Sequence, residues 1–160
     1  MKRDRLKITA GLFVLFSVFL TAHAADGSFV GSQGTVLTKA QAEVIVNRFD
    51  ERVFQFIRQL GLGLDRSDLD KSSRDVIKKR SKDLDKAAVE HRTQFDARDN
   101  WIDNKEEIRR CMVAASEIDR AMQGHTLGTS TDSNWSRLRY ELNSLAAAYA
   151  LPPVGSNDYN

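Results

Sequence analysis

Cysteine, histidine and proline are all scarce in this chain of 160 residues, and each scarcity excludes a class of structure or site. The single cysteine, Cys111, excludes an internal disulfide framework, so stability has to come from packing. One cysteine and three histidines provide neither a Cys/His set with zinc-ligand spacing nor the C-x-x-C-H element of covalent haem attachment. The two prolines are adjacent, at 152 and 153, and leave the preceding helical patterns uninterrupted.

Familiar catalytic motifs are also missing from the sequence. Neither G-x-S-x-G nor H-E-x-x-H occurs, and the segment 61–63 lacks the third glycine and the preceding strand of a dinucleotide-binding loop. Acidic pairs such as Asp83 and Asp85 are two residues apart, so on a helix they point in different directions and do not converge for acid–base catalysis. We therefore expect a protein that is not an enzyme.

The first 24 residues have the composition of a secretory signal peptide. A basic segment, residues 1–7, precedes an apolar run at residues 8–20, and Ala22 and Ala24 form an A-x-A cleavage site. The apolar run is shorter than the roughly 20 residues that a permanent membrane helix needs. The sequence therefore predicts cleavage after Ala24 and export to the periplasm or the cell exterior. Retention of the leader as an uncleaved membrane anchor is the alternative.

Loss of this leader would leave the chain close to electrical neutrality. The leader holds four of the 24 Lys and Arg residues and one of the 22 Asp and Glu residues, which leaves 20 basic and 21 acidic groups. Nucleic-acid binding needs a clustered excess of basic side chains. We therefore expect no nucleic-acid partner. No later segment is apolar enough to form a stable membrane span after cleavage.

The remaining sequence predicts one all-α domain. Residues 25–37 contain three glycines and are interpreted as a flexible N-terminal segment, residues 38–151 carry four helical patterns, and residues 152–160 form a C-terminal tail. Each pattern combines one apolar stripe with one charged face, so the stripes bury one another most simply in an antiparallel up-down four-helix bundle. No alternating apolar and polar segment follows the leader, so no strand is predicted.

The first predicted helix begins at Thr38 and ends at Gly61. Thr38 and Gln41 form a capping box, in which each side chain satisfies a backbone donor at the helix start. Apolar residues spaced three and four apart then continue to Leu60. Glycine is suited to end a helix in the left-handed conformation, so Gly61 is the predicted terminator.

The five residues from Leu37 to Gln41 resemble the L-T-x-x-Q motif of small periplasmic helical stress proteins and chaperones. The motif occurs once here, where that family typically has two copies. The capping box by itself accounts for the same residues. We therefore do not assign the chain to that family.

Three further helices follow from the hydrophobic spacing. The second covers residues 66–98 and carries a thin apolar stripe among many charges, the third begins at an acidic capping box formed by Asp103 and Glu106, and the fourth covers residues 134–151. The fourth is the most regular, and we expect its stripe to be one wall of the core. The stripe consists of Trp135, Leu138, Leu142, Leu145 and Tyr149. The boundary near residue 100 has no Gly or Pro to enforce it.

His91 is the one histidine on an apolar stripe, which leaves two interpretations open. With Met112 or Met122 as a second ligand it could hold a non-covalent haem, or it could contribute to a metal site. The paired Glu-x-x-His elements of di-iron bundles are absent. A packed, hydrogen-bonded histidine is the other interpretation and the one we expect, so we predict no cofactor.

The expected function is that of an exported, non-enzymatic module for protein interaction or structural support, with a possible partner in the cell envelope. A periplasmic haem- or metal-binding bundle that uses His91 is the alternative. Monomer and homodimer both remain open, because Cys111 pairs between chains only if it is exposed. The candidate interaction surface is the densest charged run of the second helix, Lys78, Lys79, Arg80, Lys82, Asp83 and Asp85.

Overall fold

Four α-helices and two short 3-10 helices make up the regular structure of the computed structural model, which describes residues 37–159. The all-α prediction is confirmed, and no strand occurs within that range. The helices are α1 (Lys39–Arg66), α2 (Lys71–Ala97), α3 (Lys105–Met122) and α4 (Thr129–Ala148), with 3-10 turns at Trp101–Asn104 and Asn157–Tyr159. The leader with its cleavage residues Ala22 and Ala24, and most of the segment 25–37, lie outside the described residues. Among the helices of residues 37–159, none has both the length and the apolar composition needed to cross a membrane.

Polar contacts show the direction in which each helix runs beside its neighbours. For each pair of neighbouring helices, the residue numbers of the contacting side chains increase along one helix as they decrease along the other. These contacts are Lys39–Arg98 and Asn47–Arg92 for α1 and α2, Arg80–Glu117 and Glu90–Arg110 for α2 and α3, Asp119–Trp135 and Lys105–Ala150 for α3 and α4, and Arg48–Glu141 and Gln59–Thr131 for α1 and α4. Each helix is therefore antiparallel to both neighbours, as an up-down bundle requires.

The core lies where the four apolar stripes meet. The stripe of α4 is buried along its whole length, so its interpretation as a wall of the core is confirmed. Phe56 of α1 is 0% exposed, and its ring centroid lies 5.0 Å from that of Trp135. Cys111 of α3 is also fully buried. Its thiol is therefore enclosed by the core, and burial raises its pKa above the ordinary range.

The predicted end of the first helix is wrong, because α1 continues through Gly61 to Arg66. Leu64 extends the apolar stripe beyond the glycine and is 1% exposed, so its burial favours continued helix over a turn. The next helix consequently starts later than predicted. Asp70 caps α2 by accepting a hydrogen bond from the backbone N–H of Ser73 at 2.9 Å.

The acidic capping box predicted for α3 is also wrong. The Asp103 carboxylate accepts from the Asn100 amide within the 3-10 turn, at 2.9 Å, and Asn104 is the residue that precedes α3. The Asn104 side-chain oxygen is itself occupied, because it accepts a hydrogen bond from Arg98 at 2.9 Å. The sequence spacing of Asp103 and Glu106 favours a cap, whereas contacts with Arg98 at the end of α2 hold Asp103 and Asn104 in a turn.

Both ends of α4 differ from the prediction. The helix starts at Thr129 rather than at 134. The Asp132 side chain in its first turn accepts a hydrogen bond from the Leu127 backbone N–H at 2.9 Å, which orders the loop that leads into the helix. It ends before the prolines, because Ala150 adopts a left-handed φ of 50°. The N–H of Leu151 then donates to a carbonyl in the last helical turn, which completes a C-terminal cap without any proline. The tail that follows returns to the core, where Val154 and Tyr159 are buried.

Two glycines of α1 should respond to alanine in opposite directions. A Cβ at Gly61 would meet no described atom within 4 Å, so Gly61→Ala should raise the free energy of unfolding by about 0.5–1 kcal/mol through the loss of backbone freedom in the unfolded chain. At Gly63 a Cβ would lie 2.5 Å from the Thr131 hydroxyl and 2.8 Å from the Leu127 carbonyl. Gly63→Ala should therefore lower that free energy by about 1–3 kcal/mol. Urea denaturation followed by circular dichroism measures both, and a loss of stability in Gly61→Ala would contradict the open position of this residue.

Candidate functional site

The charged run proposed as an interaction surface lies on α2, where all six side chains reach the surface. Helical geometry nevertheless divides the run. Lys78, Lys82 and Asp85 border a groove shared with α1, whereas Arg80 and Asp83 border a groove shared with α3. The two sides of α2 therefore belong to two different grooves.

On the α3 side, the arginines that line the groove already have acidic partners, and Lys86 is the one basic lining residue without an ion pair within residues 37–159. Arg80 binds Glu117 and Asp83, the latter at 2.9 Å, and these hydrogen bonds raise the pKa of Arg80. Arg110 lies 3.2 Å from Glu90 across the same groove. The groove has a volume of about 330 Å³, yet its charges largely neutralise one another. A ligand that binds the arginines of this groove would have to displace existing ion pairs.

On the α1 side, a smaller recess has a different character. We define the α1–α2 groove as the recess of about 220 Å³ lined by Ile57, Leu60, Gly61 and Leu64 of α1 and by Lys78, Ser81, Lys82 and Asp85 of α2. The Ser81 hydroxyl donates to a carbonyl of its own helix at 2.6 Å, so it does not require an external partner. Lys78 and Lys82 are exposed, and neither forms an ion pair within residues 37–159. Apolar walls and unpaired ammonium groups therefore lie side by side.

Gly61 is the reason that this recess remains open. It lies in the interior of α1, is exposed, and has open space where a side chain would extend. The sequence does not predict the α1 half of the groove, because Gly61 is the predicted end of the helix. The spacing of four between Leu60 and Leu64 was the signal that could have revealed the continued helix.

His91 lies in the core, where its ring is 0% exposed. Its Nε2 is 3.1 Å from the hydroxyl of Tyr149, which in turn donates to the backbone carbonyl of Trp101 at 3.1 Å. Because the hydroxyl proton is used by that carbonyl, the imidazole donates through Nε2–H and leaves Nδ1 as the acceptor. Nδ1 has no hydrogen-bond partner within residues 37–159. Burial lowers the pKa of His91 to about 4, so the ring is neutral at neutral pH.

The two methionines considered as haem ligands lie at different distances from His91 along the bundle. Met122 lies five residues beyond Glu117, which binds Arg80, so in the antiparallel register it is level with about residue 75 of α2, about 24 Å along the helix from His91. Met112 is fully buried and is closer. Nε2, one of the two nitrogens that could bind iron, is hydrogen-bonded to Tyr149. Within residues 37–159 no three His, Cys, Asp or Glu side chains are grouped so that they could hold a metal ion.

The structure thus brings three of the predicted surface residues, Lys78, Lys82 and Asp85, to one apolar groove, and it separates His91 from Met122. The groove residues contributed by α1 are additions to the predicted set. Comparisons of the chain with protein-family models, curated proteins and solved structures give no match, so its function has to be inferred from its own residues.

Proposed function

We propose that this protein is an exported, non-enzymatic four-helix bundle that binds a protein partner through the α1–α2 groove after its leader is cleaved. The observation that carries the proposal is the contrast between the two sides of α2. Arginines beside α3 have acidic partners, whereas Lys78 and Lys82 lie unpaired next to apolar side chains. Apolar surface flanked by available charge is typical of sites that bind protein segments. Export rests on the leader pattern of residues 1–24.

The size of the groove supports a protein segment over a small molecule. Sites for drug-sized ligands have volumes of roughly 300–1,000 Å³. The α1–α2 groove, at about 220 Å³, has room for one or two apolar side chains. Such a recess is suited to anchor residues projecting from a larger partner.

The positions of the strongly perturbed groups support a non-catalytic role. Burial lowers the pKa of His91 to about 4 and raises those of Cys111 and Tyr149. Burial also raises the pKa of Asp50 to about 6, and its carboxylate is 33% exposed and lies 3.9 Å from Arg92. His91, Cys111 and Tyr149 are enclosed by the core, at 0%, 0% and 3% exposure. Their pKa values therefore reflect packing rather than preparation of an accessible reactive group.

A matched pair of variants at position 61 tests the proposal. The mature chain, its Gly61→Ala variant and its Gly61→Phe variant would each be used to capture proteins from the native cell envelope. Phenylalanine would fill the groove, so the partner should bind the wild type and Gly61→Ala but be lost from Gly61→Phe. Equal recovery from all three would overturn binding at the groove. Intact-mass measurement of the exported protein should show a chain that begins at Ala25, and a full-length cytoplasmic product would overturn export.

A haem- or metal-binding bundle is the second candidate, because His91 Nδ1 lacks a hydrogen-bond partner in the described part of the chain. A buried imidazole nitrogen with a free lone pair is a potential ligand. Visible absorbance and metal content of the protein purified from its exported fraction test this candidate. Stoichiometric pigment or metal that is lost in His91→Gln would support it, and a colourless, metal-free protein would overturn it.

A further inference from the structure

We infer that the partner segment is an acidic amphipathic helix that lies along the α1–α2 groove, with apolar side chains against α1 and carboxylates beside Lys78 and Lys82. This inference rests on the proposed function and specifies the chemistry of the partner. Charge, length and shape of the groove each contribute to it.

Charge selects an acidic partner. Lys78 and Lys82 are four residues apart, so they project from the same side of α2 within one helical turn. Both lack an acidic partner within residues 37–159, so a partner carboxylate can bind them without displacing an existing ion pair. Asp85 lies one turn further along the groove. The charge therefore changes sign along the groove, which favours one orientation of the partner, with its acidic end beside the lysines.

The apolar surface has the length of a helix contact. Phe54, Ile57, Gly61 and Leu64 follow one another at spacings of three, four and three, which places them along one line of α1. This line extends for about 15 Å, or nearly three helical turns. Phe54 is 56% exposed at one end of the line, so the apolar surface continues beyond the groove itself. Gly61, near the middle, allows a neighbouring helix to approach closely.

The shape of the site favours a helix over an extended peptide and over a lipid surface. A peptide that binds by strand addition needs an exposed sheet edge, and residues 37–159 contain no strand. A lipid surface is bound by a helix face that projects into the headgroups. Here the apolar atoms line a recess between two helices, which accommodates side chains from an opposing helix.

Synthetic peptides titrated into the mature protein test this inference. The first is a 20-residue amphipathic helix with leucine on one face and glutamate beside it, and the second has lysine at every glutamate position. Fluorescence anisotropy should show about tenfold tighter binding of the glutamate peptide. Lys78→Glu combined with Lys82→Glu should reverse that preference. Lys79 is an exposed residue of α2 that does not line the groove. Lys79→Glu is therefore the matched control and should leave the preference for the glutamate peptide unchanged.

The outcomes separate this inference from the proposed function. Equal affinity for both peptides, with binding lost in Gly61→Phe, would overturn the acidic partner and leave protein binding at the groove intact. Binding only to anionic vesicles, or self-association that the double lysine reversal abolishes, would overturn the inference in favour of a lipid or a second copy. Envelope capture that is insensitive to Gly61→Phe would instead overturn the proposed function. Circular dichroism of each variant confirms that it is folded.

Discussion

Replacing Phe56 with alanine should lower the free energy of unfolding by about 3–5 kcal/mol. The ring is 0% exposed and lies 5.0 Å from Trp135, so its removal leaves a cavity between α1 and α4 that the surrounding helices fill only in part. Urea denaturation monitored by tryptophan fluorescence measures the change directly, because one of the two tryptophans is the neighbour of the lost ring.

Phe54→Ala is the matched control, since it removes the same ring from the same helix. Phe54 is 56% exposed, and Arg58 lies over its ring at 5.4 Å. Phe54→Ala should lower the free energy of unfolding by less than about 1 kcal/mol, because most of the Phe54 ring is in water in both the folded and the unfolded state. Equal losses in the two variants would contradict the placement of Phe56 in the core.

Acidification from pH 7 to pH 4 should destabilise the Asp50→Asn variant by about 3 kcal/mol through His91. In the folded protein burial lowers the pKa of His91 from 6.5 to about 4. Between these values the unfolded chain binds a proton that the folded chain does not. The stabilisation is therefore present above pH 6.5, decreases as the pH falls, and is lost at about pH 4.

The wild-type protein should lose less stability over the same range, because Asp50 has the opposite effect. Burial, with a contribution from Asp96, raises the pKa of Asp50 from 3.8 to about 6, although Arg92 at 3.9 Å lowers it. The folded chain thus binds a proton at Asp50 that the unfolded chain lacks between pH 6 and 3.8, which adds stability as the pH falls. Asp50 is 33% exposed, so solvent screening makes this compensation partial.

Urea denaturation at a series of pH values distinguishes these contributions. Asp50→Asn should show a steep loss of stability between pH 6.5 and 4, and the wild type a shallower one. The double variant Asp50→Asn, His91→Gln keeps an N–H donor near Tyr149 but lacks the titrating ring, so the loss assigned to His91 should disappear. A flat profile for Asp50→Asn alone would show that His91 is not the group responsible.

Hydrophobic spacing predicted the helices and the core wall of α4 because a continuous stripe is itself the surface that becomes buried. Helix ends were less predictable, since they depend on contacts between distant segments. Leu64 lies three residues after Gly61, and its burial outweighs the tendency of glycine to end a helix. Asp103 had the sequence of a cap, but its hydrogen bond to Asn100 belongs to a turn.

The candidate site was predictable only in part for a similar reason. The charged run of α2 was identified as surface, and helical phase alone separates Lys78 and Lys82 from Arg80 and Asp83. The acidic partner of Arg80 on α3, however, lies 37 residues away in sequence. Only the packed structure shows that Arg80 has an acidic partner across the helix interface, whereas Lys78 and Lys82 have none within residues 37–159.

The buried thiol of Cys111 can report transient separation of the helices. Cys111 is 0% exposed and burial suppresses its ionisation, so an added thiol-reactive dye should label it only when the bundle separates. The labelling rate under native conditions would then measure how often the helices come apart, at a position that is already unique in the chain. The same burial would protect the folded molecule from mixed disulfides and from covalent pairing with other copies.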